Sequence, residues 1–339
     1  MIELNKITVR NDNADVTTWQ YELANAVKNP QQLCDILRIS ADKLNLSDSA
    51  RKAFPMIVPR PFVKKMKKGD IDDPLLKQVL PINDEEKISD GYSIDPLGEH
   101  QNGIQGLLHK YQSRVLLIVK SGCAINCRYC FRRHFPYQDN TLNKAQLQQV
   151  VDYLQSEQKI NEVILSGGDP LMSKDYFLQT IVEQISGEPQ IKRLRIHTRL
   201  PVVIPTRVTQ QLCEILKSTR LNVTLVLHIN HANEIDEDFK VAMQKLRKAG
   251  VQLLNQSVLL KGVNDSATAL IDLSEALSDA GILPYYLFLL DKVQGAQHFD
   301  LEEDKALSLI KEMNKALPGF LVPKLSREIA GEKHKTVIA

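Results

Sequence analysis

The length, composition and charge of the chain limit what it can be. Its 339 residues are enough for one large or two medium domains, each with a substantial buried core. Because 43 basic residues nearly balance 41 acidic ones, the bulk charge gives no support to nucleic acid or an anionic membrane as a partner.

Residues 1–95 predict a helical N-terminal extension. The first residues are polar and lack a signal-peptide core, and no apolar run of the sequence approaches the ~20 residues that span a bilayer. Trp19, Leu23 and Val27 recur every four residues, as on an amphipathic helix, and Pro30 suits the first turn of a second helix. We therefore expect short helices joined by irregular, proline-containing connectors.

The use of cysteine is typical of a reducing compartment. Cys34 and Cys213 lie among leucines and isoleucines at helical spacing, which predicts two small residues of the core. The other three cysteines lie within one short loop, a pattern that indicates metal binding rather than disulfides. We predict a soluble, cytoplasmic protein with neither a membrane nor a nucleic acid as partner.

From about residue 112 the sequence becomes regular, and residues 96–318 predict one core domain. Short apolar runs alternate with amphipathic helices, and Gly250 and Gly281 stand where helix C-caps are expected. Repeated β–α units imply a parallel sheet with right-handed crossovers, but six units alone do not separate an open sheet from a barrel. The predicted strands are 115–119, 163–165, 194–196, 223–227, 251–254 and 285–290.

The cysteine loop directly follows the first of these strands. Cys123, Cys127 and Cys130 have the spacing C-x3-C-x2-C. Three thiolates can hold three corners of a [4Fe–4S] cube, which leaves the fourth iron open to a small molecule. His134 extends the pattern to C-x3-C-x2-C-x3-H, which is also an acceptable set of four tetrahedral zinc ligands. Spacing alone leaves both metals open.

Polar residues follow every predicted strand. In a β/α fold such residues gather at one face, where the carboxyl ends of the strands meet. Any single one of them could be a turn residue, but their recurrence after all six strands favours a functional site. Besides the cysteine loop with Arg132, Arg133 and His134, they are Ser166, Gly167, Gly168, Asp169, His197, Arg199, His228, Asn230, His231, Asn255, Gln256, Ser257 and Asp291.

The cysteine loop, with Tyr129 before its last cysteine, resembles that of the radical S-adenosylmethionine (SAM) enzymes. The pair Gly167–Gly168 is similar to the motif that binds the methionine amino group in those enzymes. This resemblance implies a partial (β/α)6 barrel, a [4Fe–4S] cluster and bound SAM. The SAM contacts that it implies are Gly167, Gly168, Asp169, His197, Arg199 and Gln256.

Between Leu107 and Lys335 the chain is similar to the lysine 2,3-aminomutase family of radical SAM enzymes that depend on pyridoxal phosphate (PLP). Counted from Val322-Pro323, Lys335 falls at the PLP lysine of that family, and Lys333 is the fallback. Residues 319–339 therefore predict a short PLP-binding segment. The resemblance implies that Lys110 and Arg114 bind the PLP phosphate, that Arg132 binds the substrate carboxylate, and that Asp291 and Glu328 bind the far ammonium of lysine.

Three features indicate one branch of this family. Glu332-Lys333-His334 replaces a glycine run, Glu328 replaces an aspartate, and the sequence ends four residues after Lys335, without the cysteine-bearing zinc tail of the stand-alone enzymes. In that branch (R)-β-lysine, made from L-α-lysine, is joined to elongation factor P by a lysyl-tRNA-synthetase-like ligase, and flavodoxin or ferredoxin is the expected reductant. The alternatives are a catabolic amino acid 2,3-aminomutase and a non-catalytic zinc or iron–sulfur regulatory protein.

Overall fold

The computed structural model describes residues 18–100 and 104–339, so the first 17 residues of the predicted N-terminal extension lie outside it. Helix α2 begins at Pro30 as predicted, and the Asn29 side chain accepts from Gln31 N at 2.8 Å as its N-cap. Helix α1 is shorter than the periodicity predicts, because Val27 instead forms a β-bridge with Val58. Residues 18–95, the described part of this region, contain five helices: α1 (Trp19–Ala24), α2 (Pro30–Leu37), α3 (Asp48–Ala53), α4 (Arg60–Lys64) and α5 (Pro74–Lys77).

A buried ion pair joins this region to the cysteine loop. Arg128 is fully buried, and its Nε and Nη2 donate to the two carboxylate oxygens of Glu85 at 2.8 and 2.6 Å. Arg133 Nη2 donates to the same carboxylate at 2.7 Å. The N-terminal helices and the loop also share one hydrophobic core, so the two are packed as one unit.

Glu85→Gln should destabilise the protein strongly. The change leaves two buried guanidinium groups without a counter-charge, and breaking a buried pair from one side typically costs about 3–5 kcal/mol. Chemical denaturation should show this as a lower midpoint. Glu312→Gln is the control, because it removes an exposed pair with Lys315 and should leave the midpoint unchanged.

The six predicted strands are all present, and in the described part of the chain they lie in one nine-stranded sheet whose strands pair in chain order. Strands β2 to β8 are parallel, whereas β1 pairs antiparallel with β2 and β9 with β8. The prediction missed β1, β8 and β9, of which β8 adds a seventh parallel strand. The strands are β1 (Leu107–Tyr111), β2 (Arg114–Lys120), β3 (Glu162–Gly167), β4 (Arg193–Thr198), β5 (Asn222–Leu227), β6 (Gln252–Val258), β7 (Leu283–Phe288), β8 (Lys324–Arg327) and β9 (Thr336–Val337).

Helices connect the parallel strands and bury one apolar stripe each. Gly250 and Gly281 have φ of +81° and +73° at the helix ends, as their positions predict, since glycine adopts this conformation without strain. None of the described helices is long and apolar enough to cross a membrane. The remaining helices are α6 (Tyr137–Asn140), α7 (Lys144–Ser156), α8 (Asp175–Gly187), α9 (Leu200–Val203), α10 (Gln210–Ser218), α11 (Glu237–Lys248), α12 (Ala267–Asp279) and α13 (Glu303–Ala316).

The main core lies between the sheet and these helices, and the other face of the sheet surrounds a cavity. Strand β3 is buried along its whole length, as expected for a central strand covered on both sides. Cys34 and Cys213 are 1% and 8% exposed, which confirms their assignment to the core. The fold therefore directs alternate side chains of each strand toward the cavity, where the candidate site lies.

Candidate active site

One cavity of about 320 Å³ collects the three predicted cluster cysteines and all the residues predicted to contact SAM, PLP or the substrate. Its wall comes from alternate positions of the strands, for example Arg195 and His197 of β4 and Tyr286 and Phe288 of β7. The predicted residues that line it are Lys110, Arg114, Cys123, Cys127, Cys130, Arg132, Gly167, Gly168, Asp169, His197, Arg199, Gln256, Asp291, Glu328 and Lys335. Their roles remain predictions, but the fold brings them together.

The glycine pair after β3 is packed against the start of the cysteine loop. Gly168 N donates to Lys120 O at 2.7 Å, and a Cβ at Gly168 would lie 2.5 Å from the carbonyl oxygen of Gly122. Gly167 has φ of +118°, and a Cβ there would lie 2.7 Å from Lys120 O. Any side chain at these positions would displace the cysteine loop.

Asp169 fixes the shape of the turn that follows. Its buried carboxylate accepts from Thr198 Oγ1 at 2.7 Å and from the backbone N–H groups of Leu171, Arg199 and Leu200 at 2.8–3.0 Å. Burial raises the pKa of Asp169 even though these hydrogen bonds oppose the rise. Because its oxygens are engaged by the protein, Asp169 positions the loop, and its predicted contact with SAM remains a prediction.

The three thiols of the cysteine loop suit a cluster. Burial, together with the neighbouring thiol groups, raises the pKa of Cys123 well above its usual value, and burial with the charge of Cys127 raises that of Cys130 to about 11. Within residues 18–100 and 104–339, no three His, Cys, Asp or Glu side chains converge on a single ion position. A [4Fe–4S] cube needs no such convergence, because each cysteine binds a different iron.

His134 lies apart from the cysteines. Its imidazole is exposed and donates from Nε2 to the carbonyl oxygen of Gln294 at 3.1 Å. It does not line the cavity that the three cysteines share. The four-ligand zinc set that the spacing allowed is therefore not assembled in this structure.

Two histidines lie next to the predicted SAM site. The Nε2 atom of His197 is buried and has no hydrogen-bond partner among the described residues. Burial lowers the pKa of His228 to about 3, so this ring is neutral, and its Nε2 lies 3.2 Å from Gln256 Nε2. Because a buried polar atom of this kind is normally satisfied, the unpaired His197 nitrogen indicates a position for a polar ligand or a water molecule.

The acidic end of the cavity already holds an ammonium group. Lys335 Nζ lies 2.6 Å from Glu328 Oε2 and 4.4 Å from the centre of the Phe288 ring. Tyr111 donates its hydroxyl to Glu328 Oε1 at 3.1 Å. Lys333, the fallback for the PLP lysine, is exposed and lies outside the cavity lining. Of the two lysines, only Lys335 reaches the site.

Asp291 lies beside this group in the cavity wall, where it is partly buried. Burial raises its pKa to about 7, and the negative charge of Glu328 adds to the rise. Between about pH 3.8 and pH 7, Asp291 is therefore protonated in the folded protein but ionised in the unfolded chain. The contribution of Asp291 to the free energy of unfolding is fully present below pH 3.8 and is lost as the pH rises through 7.

Asp291→Asn should therefore stabilise the ligand-free protein at pH 8. The neutral amide removes the buried carboxylate without a large change of shape. Thermal denaturation of both proteins at pH 4.5 and 8 should show the gain mainly at the higher pH. A gain of equal size at both pH values would contradict this assignment of the raised pKa.

Glu99 is a member of the site that sequence reasoning missed. It is 5% exposed, and it accepts from Arg132 Nε at 2.7 Å and lies 2.8 Å from Lys110 Nζ. Burial alone would raise its pKa, but Arg132 and Lys110 hold it at about 2. Two of the three cations predicted to bind substrate or cofactor anions, Lys110 and Arg132, are thus held in place by a resident carboxylate. Its segment has no periodicity that could have indicated this.

Some polar residues at the strand ends serve the scaffold. Asn255 Oδ1 accepts from Ile229 N at 2.9 Å, and Asn255 Nδ2 donates to Ser257 Oγ at 2.9 Å. Asn230 Oδ1 accepts from Val258 N at 2.9 Å. These three polar residues do not line the cavity, so the expectation that polar residues after every strand mark the site was too broad.

The sequence is similar to a known family model and to several known proteins. Residues 117–273 match the family model of the radical SAM superfamily. The chain is 53% identical to the L-lysine 2,3-aminomutase of Escherichia coli (strain K12) over 319 residues, which cover 94% of this chain and 93% of that protein. It is 51% identical to the L-lysine 2,3-aminomutase of Haemophilus influenzae, covering 95% of each chain, and 31% identical to that of Clostridium subterminale, covering 96% of this chain and 79% of the other.

Among solved structures, a radical SAM methyltransferase from Sphaerobacter thermophilus superposes with a TM-score of 0.47 at 16% identity, over 65% of this chain and 68% of that one. The coproporphyrinogen III oxidase of Escherichia coli superposes with a TM-score of 0.40 at 10% identity, over 61% and 52% of the two chains.

Proposed function

This chain belongs to the lysine 2,3-aminomutase family of radical SAM enzymes, and we propose that it isomerises L-α-lysine to (R)-β-lysine. The observation that supports lysine as the substrate is the acidic end of the cavity, where Glu328 Oε2 lies 2.6 Å from the Lys335 ammonium and Asp291 lines the wall beside it. Two carboxyl groups at this end favour a cationic side chain and disfavour an acidic one.

Membership of this family implies a [4Fe–4S] cluster, SAM and PLP, and the donor groups in the cavity fit them. When bound, the cluster and SAM supply the radical that removes a hydrogen atom from C3, and PLP carries the amino group from C2 to C3. In our proposal Cys123, Cys127 and Cys130 hold the cluster. The predicted SAM contacts, including His197 with its unpaired nitrogen, lie in the same cavity.

The chain's own groups orient the substrate in this proposal. Arg132 offers a planar fork of N–H donors to the substrate carboxylate. Its guanidinium would then serve two carboxylates, that of the substrate and that of Glu99. Arg114, whose guanidinium lies 4.0 Å from the centre of the Tyr111 ring, and Lys110 offer cations to the PLP phosphate.

We further propose that the product modifies elongation factor P, joined to it by a lysyl-tRNA-synthetase-like ligase. Support comes from the branch-specific sequence, including Glu328 in place of aspartate and Glu332-Lys333-His334 in place of glycines. The same proposal includes flavodoxin or ferredoxin as reductant, a cytoplasmic location and the three-part division at residues 95 and 318.

Anaerobic incubation tests the reaction directly. The protein is reconstituted with iron and sulfide, then supplied with PLP, SAM, dithionite and L-lysine, and the products are separated by chirality and position of the amino group. (R)-β-Lysine is the expected product, and its absence with intact cluster and SAM binding would overturn the proposal. Adding elongation factor P with its ligase separates the modification role from a catabolic aminomutase.

Asp291→Asn should reduce β-lysine formation by roughly a hundredfold, because losing one partner of a desolvated charge contact costs about 2–5 kcal/mol. Reductive cleavage of SAM without lysine should change much less. Arg132→Lys should be nearly as damaging, since lysine keeps the charge but loses the fork. Turnover at the parental rate in Asp291→Asn would mean that the lysine ammonium is bound elsewhere.

A further inference from the structure

Arg199 connects the cysteine loop to a buried polar network. Its guanidinium is 6% exposed, and Nη1 donates to the Cys127 sulfur at 2.7 Å and also contacts the Tyr129 hydroxyl. Nη2 donates to Gln78 Oε1 at 2.7 Å and to Glu234 Oε2 at 2.8 Å. Of the three cluster cysteines, Cys127 is thus in direct contact with a fixed cation.

Glu234 binds the other terminal nitrogen of this guanidinium. Its side chain is fully buried, and Oε1 accepts from the backbone N–H groups of Asn230 and His231 at 2.9 and 3.1 Å and from Gln78 Nε2 at 3.2 Å. Its position is therefore fixed by the helical N-terminal region and by the loop after β5. The pair is neutral as a whole, but the positive member contacts the cysteine.

We propose that the Arg199–Glu234 pair sets the reduction potential of the cluster, with Arg199 raising it and Glu234 lowering it. Reduction adds one electron to the cluster, so the reduced form carries one more negative charge. A cation or an N–H donor at a ligand sulfur stabilises this form, and a buried carboxylate nearby disfavours it. A purely structural ion pair would affect stability without moving the potential in two directions.

An equilibrium redox titration tests this inference. The reconstituted protein is reduced stepwise with dithionite and mediators in the absence of SAM, and the reduced cluster is counted by electron paramagnetic resonance. In Arg199→Gln the midpoint should move to a more negative value. At the parental midpoint the ratio of reduced to oxidised cluster should fall by roughly tenfold, the worth of one charge-assisted hydrogen bond. In Glu234→Gln the midpoint should move to a more positive value.

The control is another buried ion pair. Arg207 is fully buried and donates from Nη2 to Asp175 Oδ1 at 2.7 Å, but it does not line the cavity. Arg207→Gln should lower stability and leave the midpoint unchanged. If Arg199→Gln does not fold, the shift of the midpoint potential in Glu234→Gln decides alone. A positive shift supports the inference, and no shift or a negative one overturns it.

When both variants fold with full iron content, shifts of the same sign, or no shift in either, overturn the inference. The measurement uses neither lysine nor PLP. Its outcome is therefore independent of whether the proposed substrate is correct.

Discussion

Cys127→Ala should abolish iron binding and every SAM-dependent reaction, whereas His134→Ala should retain the full iron content. The cysteine change removes one of the three proposed ligands of the cluster and the acceptor of the Arg199 hydrogen bond. The histidine is exposed and bonded to a backbone carbonyl of Gln294, outside the cavity. Iron and sulfide analysis, with the visible absorption of anaerobically reconstituted protein, measures both outcomes.

The matched control for the cysteine change is Cys213→Ala. Cys213 is 8% exposed and lies in α10, where it packs in the main hydrophobic core. This variant should keep its iron and its absorption, with only a modest loss of stability from the smaller side chain. If His134→Ala lost the metal as completely as Cys127→Ala, the result would favour the alternative interpretation, a zinc site formed by the three cysteines and His134.

The parallel sheet could be predicted because each of its first six strands carries a local signal. An apolar run such as 115–119, followed by a turn and an amphipathic helix, is recognisable without any partner. Strand β8 carries no such signal, since Lys324–Arg327 is short and three of its four residues are polar. It forms because Leu287 and Leu325 pair in register on the sheet. Tertiary pairing decides such strands.

The polar support of the site could not be predicted for a related reason. Gln78 and Glu234 are 156 residues apart in sequence, and each is unremarkable in its own segment. Only the fold places both against Arg199. The residues found from sequence were those whose motif or family position identified them, whereas residues that hold other side chains in place leave no local pattern.

Lys335→Ala should reduce β-lysine formation below detection while cluster content and SAM binding remain at parental levels. Lys335 belongs to the C-terminal segment, and its ammonium reaches the cavity, where it lies against Glu328 and the Phe288 ring. The cluster cysteines lie on a separate loop after β2, so their metal should not depend on this side chain. Product analysis, iron content and equilibrium binding of SAM separate the three properties.

Lys333→Ala provides the matched control, because it removes an exposed lysine only two residues away. It should keep parental turnover. Borohydride reduction of the PLP-loaded protein should leave a covalent label on the peptide that contains Lys335, located by fragmentation to that residue. In Lys335→Ala the label should be absent, since Lys333 lies outside the cavity lining. A label on Lys333 in the parental protein would contradict the assignment, and it would require the segment between Glu328 and Thr336 to turn its other face toward the cavity.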